Sequence, residues 1–105
     1  MNRVTLIGRV ARELEIYITK EGTKIIKSAL ALTIKPDKTL FINFTAFNGT
    51  ASLLEKYVHK GDRLGIDGSL VPNSYTTKTG VKVNEICINV QSVELLERRN
   101  ETDLS

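Results

Sequence analysis

The chain has no tryptophan, one cysteine, two prolines and one histidine among 105 residues. A single cysteine forms no internal disulfide, so the fold needs no oxidising compartment. No run of eighteen apolar residues and no basic-then-apolar leader occurs. Membrane insertion and secretion are therefore disfavoured, and the cytoplasm is the expected location. His59 and Cys87 stand alone, without a His or Cys neighbour in sequence. No Ser/His/Asp set, cysteine cluster, metal-spaced carboxylates or phosphate-cradling glycine loop can be assembled, so no enzyme, cofactor or metal site is expected. Cys87 reads as a packed or interfacial thiol, and His59 as a cation at a helix C-terminus.

What is present is a modest basic excess, 15 Lys+Arg against 12 Asp+Glu, and 41% hydrophobic residues. At this length a folded chain buries roughly two-thirds of its surface, enough for one core and too little for two. The charge is uneven. Residues 1–90 carry thirteen basic and eight acidic groups, and the last fifteen carry two and four. The uneven charge reads either as an ordinary solvated surface or as a basic binding surface, on a domain expected over 1–98 with a short acidic, disordered end over 99–105.

Periodicity gives the elements. Val4, Leu6 and Val10 alternate with Arg3, Thr5 and Arg9, the period of a strand with one buried face, and Gly8 marks a bend. Leu14, Ile16 and Ile18 alternate with Glu13, Glu15 and Tyr17 before a turn at Lys20-Glu21-Gly22. Strand patterns occupy 24–34 and 39–48, separated by Lys35-Pro36-Asp37-Lys38, where Pro36 cannot donate to a ladder. Between Gly49 and Gly61 the period changes. Leu54, Tyr57 and Val58 form a helical stripe, with Thr50 or Ser52 as N-cap and Gly61 as the stop. Leu64, Ile66 and Gly68 share one parity in a fourth strand over 63–70. Asn73 to Gly80 reads as an exposed hairpin, and Val81 to Leu96 as a last strand with Ile86, Ile88 and Val90 inward. Three strands, a helix and two strands, with a long bent first strand, is the order of a five-stranded Greek-key OB barrel.

The third strand separates into two faces. Ile42, Phe44 and Ala46 make one wholly apolar face, the core side. Phe41, Asn43, Thr45 and Phe47 make the other. A face holding Asn and Thr belongs outside, yet it displays two large aromatics, covered either by a loop or subunit or by a ligand. Bases offer a flat π-face whatever their sequence, so exposed rings between cations suit a nucleic-acid strand. Tyr75 supplies a third ring.

Four ordered blocks resemble the bacterial and phage-type single-stranded DNA-binding protein family. They are Asn2 to Val10, Phe41 to Phe47, Lys60-Gly61-Asp62-Arg63-Leu64 with Ile66 to Leu70, and Glu85 to Val90. The resemblance implies base stacking at Phe41, Phe47 and Tyr75, where Phe41 and Tyr75 replace tryptophans. Arg3, Arg9, Arg12, Lys35, Lys38, Lys78 and Lys82 lie on strand one and the two hairpins, where an OB groove meets its ligand; with Asn43 and Thr45 they are the expected phosphate or groove contacts, though any single cation reads equally as a solvated surface group. The resemblance also implies homo-oligomers, tetramers or dimers, through Thr5 and Ile7 on the first strand, and roles at the nucleoid in replication, recombination or repair. If about three to five phosphates are neutralised, the log-log salt slope is roughly −2 to −3.5.

The sequence departs from the family in its short Lys35–Lys38 connection, its trimmed hairpin near Thr79-Gly80 with Pro72 at the base, and the lack of a long linker with an acidic tip. Asp103-Leu104 is at most a vestige. Long wrapping and tail-mediated recruitment are therefore not expected. A dimeric replication-restart adaptor resembling primosomal replication protein N is the alternative, and an RNA-binding OB module a third.

Overall fold

In a computed structural model of the chain, which describes residues 1–98, the alternation of the first ten residues becomes β1 (Val4–Val10). Val10 is buried, Val4 and Leu6 are half-buried, and Thr5, Ile7 and Arg9 face outward. The remaining elements are β2 (Glu15–Ile18), β3 (Lys24–Lys35), β4 (Lys38–Phe47), α1 (Asn48–Tyr57), β5 (Arg63–Thr76) and β6 (Lys82–Glu97). The acidic end expected over 99–105 lies outside the described residues.

Six strand segments fill five places in the barrel. The sheet runs β1-β5-β6-β4-β3-β2, and β1 also pairs with β3 through Arg9↔Ala31 and Val10↔Leu30, which closes the ring. Both β1 and β2 lie antiparallel to β3 on the side away from β4, so they are two halves of one broken first strand. Gly8 is where β1 turns from β5 onto β3. A methyl group there would lie 2.5 Å from the Ala31 carbonyl oxygen, a contact no side chain tolerates. Just beyond, Ser28 is fully buried, and its Oγ donates to the Arg12 carbonyl at 2.8 Å, which satisfies the one hydroxyl in the floor of the break.

The core follows the predicted parities. Ile26, Leu30, Phe44, Ala46, Leu64, Ile66 and Ile88 are fully buried or nearly so. α1 closes one end, with Ala51 and Leu54 inward and Val58, just past its end, buried in the same core. A Lys24–Glu55 ion pair ties it to β3.

Five expectations about the helix and last strand need correction. The helix begins at Asn48, two residues before Thr50. Its N-cap is Phe47, extended and without a side-chain capping bond, so neither Thr50 nor Ser52 caps it. Asn48 takes φ of 50°, which Asn tolerates better than most residues. At the other end Val58 is already extended, and its N–H bonds to the Leu54 carbonyl, so the helix stops before Gly61. His59 therefore lies outside the helix. Its N–H donates to the nearly buried Asp62 carboxylate at 2.9 Å, while Gly61 N–H bonds to the Val10 carbonyl. Tyr57 leaves the inward stripe and is exposed, with the Lys56 ammonium 5.3 Å from its ring centroid.

On β6, Ile86 is 62% exposed and Cys87 is buried, the reverse of the predicted faces. The β5–β6 hairpin runs out to Thr76↔Lys82, and Ile86 sits opposite the exposed Pro72 on this projecting part, where neither face meets the barrel interior.

Candidate nucleic-acid interface

The outward face of β2, β3 and β4 can be read row by row from the register. Tyr17 opposes Ile25, and Ile25 opposes Phe47, giving one row across three strands. Glu15, Lys27 and Thr45 form the next row, which β6 extends through Thr45↔Asn89. Directly opposed residues share a face, so Tyr17 and Phe47 flank Ile25 on one surface.

The long β5–β6 hairpin rises beside these rows and makes them the floor of a groove. Its volume is about 680 Å³, and its lining includes Arg12, Tyr17, Lys27, Phe47, Tyr75 and Cys87. Tyr75 donates its hydroxyl to Glu85 across the hairpin at 3.4 Å. Cys87 closes the floor against the Thr45 hydroxyl at 3.4 Å, the packed role expected of it. Asn43 is fixed by Arg12, whose Nη2 donates to its Oδ1 at 3.0 Å. The same guanidinium reaches Glu15 at 3.5 Å.

The predicted residues do not all meet there. Arg12, Asn43, Thr45, Phe47 and Tyr75 line the groove. Phe41 is 64% exposed on the same face of β4, six residues from Phe47 and so ~20 Å further along the strand. Lys35 and Lys38 pair at the β3–β4 turn, while Lys78 and Lys82 flank the tip of the β5–β6 hairpin.

Arg3 and Arg9 lie elsewhere. Arg3 makes a two-pronged bond to Asp67 at 2.9 and 3.2 Å, and Arg9 bonds Glu97 at 2.7 Å and the Gly61 carbonyl at 3.1 Å. The Arg9 bond holds the Glu97 carboxyl below its ordinary range. Thr5 and Ile7 share this β1 face and border a second hollow of about 460 Å³ with Gly65, Asp67, Glu94 and Leu96.

The groove is less basic than the sequence suggests. Its ionisable lining of this kind is Arg12 and Lys27 against Glu15 and Glu85, which balance. Tyr17, Lys27, Glu15 and Glu85 were not among the expected contacts. The signal for Tyr17 was present, since it is a lone ring on the polar parity of its strand, as Phe41 and Phe47 are on theirs. Among the described residues no group of three or more His, Cys, Asp or Glu side chains is placed to hold a metal, and no helix is long and apolar enough to cross a membrane.

An aromatic-lined groove across a barrel of this topology is what the four sequence blocks lead to, and the model of the single-strand binding protein family matches residues 1–96. The chain belongs to that family. It is 33% identical over 102 residues to a single-stranded DNA-binding protein of Malacoplasma penetrans, covering 95% of this chain and 54% of that protein. It is 30% identical over 109 residues to one of Staphylococcus aureus, covering 98% of this chain and 70% of the relative. The chain thus spans about half the length of the first relative. Among solved structures, a Plasmodium falciparum SSB complex with ssDNA superposes with a TM-score of 0.82 at 26% identity, over 92% of this chain and 96% of the other. Membership of the single-strand binding family places the chain among binding proteins rather than enzymes.

Proposed function

We propose that the chain binds single-stranded DNA with little regard to sequence, in replication, recombination or repair at the nucleoid. Bases stack on Phe47 and Tyr75 in the groove and on Phe41 beyond it, while Arg12, Asn43 and Thr45 meet the sugar-phosphate chain. One observation carries this reading: the aromatic face of β4 opens into a groove walled by further rings instead of being covered by the chain's own loops. The names of the relatives and the DNA-bound SSB neighbour support it. Lys35, Lys38, Lys78 and Lys82 serve a strand that leaves the groove at either hairpin. Arg3 and Arg9 are spent on Asp67 and Glu97, so their part is to order the β1 face. Self-association belongs to the same reading, through that face around the exposed Thr5 and Ile7.

The charge balance makes a specific expectation. For an oligonucleotide short enough to occupy only the groove, two cations give a log-log salt slope of about −1.4. Titrating labelled oligo(dT) from low to high salt measures it, and light scattering on the same samples is expected to give a mass above the 11.7 kDa of one chain. A slope of about −3 or steeper would mean that phosphate contacts, not rings, dominate.

A further inference from the structure

We propose that Tyr17 is a base-stacking residue on the β2 wall of the groove, with Glu15 and Lys27 as its positioning residues. This rests on the single-strand reading above and extends the ring set to a strand that reading does not use.

β2 is four residues long, all exposed, and its ladder partner is β3. A tyrosine there contributes little to the core, yet it is held more closely than a surface ring needs to be. Its hydroxyl donates to the Glu15 carboxylate at 2.6 Å, and the Lys27 ammonium sits 5.6 Å from its ring centroid. Glu15 is fixed in turn by Arg12. Glu15, by accepting that bond and by its charge, pushes the Tyr17 hydroxyl above its ordinary 10.0.

The ring is 48% exposed and borders the groove. The row Tyr17–Ile25–Phe47 puts two aromatics on neighbouring strands of a common partner. At about 4.8 Å per strand they are roughly 10 Å apart, with an aliphatic floor between them. That gap is three base-stacking steps of about 3.4 Å, room for two stacked bases. Lys27 occupies one side of the Tyr17 ring and lies in the groove, so it can follow a phosphate while the ring takes a base. A ring anchored before the ligand arrives loses less freedom on binding than a mobile one.

The test compares the unsubstituted protein with Tyr17→Ala, Tyr17→Leu and Tyr17→Phe, titrated against labelled oligo(dT) and an abasic strand of equal length, with thermal unfolding followed in parallel. Tyr17→Ala and Tyr17→Leu are both expected to bind oligo(dT) about 5- to 150-fold more weakly and the abasic strand unchanged. Tyr17→Phe keeps the π-face and is expected to show the smallest loss. Leu preserves apolar bulk, so a merely structural role would spare Tyr17→Leu. Wild-type affinity in Tyr17→Ala, or equal losses on both strands, overturns the proposal while leaving the single-strand reading intact. No preference of the unsubstituted protein for oligo(dT) over the abasic strand overturns both.

Discussion

Gly68→Ala is expected to lose about 3 kcal/mol of stability, measured as the shift of the denaturant midpoint at constant slope. A methyl group on Gly68 would lie 2.2 Å from the Asn89 carbonyl oxygen, 3.0 Å from its carbon and 3.2 Å from Ile88 Cγ2. Two of those three atoms are backbone, so no rotamer change relieves the clash. Strands β5 and β6 would have to separate at the point where β5 also pairs with β1 through Val4↔Gly68. β6 carries one extra residue, Gln91, between Asp67↔Ser92 and Gly68↔Val90, so the ladder is already irregular beside Gly68. Against a typical total of about 5–15 kcal/mol, such a loss removes roughly a fifth to three-fifths of the stability. Gly49→Ala is the control. It meets nothing within 4 Å in a helix, and Ala there is expected to gain a few tenths to about 1 kcal/mol. A Gly68→Ala protein as stable as wild type would mean that β5 and β6 are not held so closely.

The double substitution Phe47→Ala with Tyr75→Ala is expected to leave the fold intact and weaken single-strand binding by roughly a hundredfold or more. Phe47 is 41% and Tyr75 45% exposed, so neither carries the core, whose buried aromatic is Phe44. Each base stack is worth ~1–3 kcal/mol, and every 1.4 kcal/mol is a factor of ten. The two rings line one groove on different walls, so their losses add only as far as they hold different bases. Titration of both single variants and the double measures that coupling. Loss of the thermal transition in Phe47→Ala would show instead that the ring is structural.

How much was legible differs between core and groove for a physical reason. Strand parity is a local signal, so Ile42, Phe44 and Ala46 read inward and Phe41, Asn43, Thr45 and Phe47 outward from the sequence itself. The bent first strand also read correctly, though the chain breaks after Val10 instead of bending only at Gly8. Parity failed at Ile86, because a strand that projects beyond the barrel has no inside. It failed at Tyr57 because three residues on one helical stripe do not say how far the sheet reaches beneath them.

The cations were the least legible part. Arg3 meets Asp67 and Arg9 meets Glu97 across 64 and 88 residues of chain, pairings that only barrel closure creates. Two of the expected phosphate contacts thus hold acidic partners and lie outside the groove lining. The groove, assembled from five strands, came out balanced in charge, with Tyr17 among its rings in the place that Phe41 was expected to take.

If an aromatic groove, not a basic surface, selects the ligand, single strand and duplex part company at one moderate salt concentration, where a fluorescent oligo(dT) and the matching duplex are titrated side by side against the protein. Tight binding of the single strand is expected, with at least a tenfold weaker affinity for the duplex, whose bases are stacked on one another and closed to the rings. Equal affinity for the two would mean that the rings do not choose the ligand.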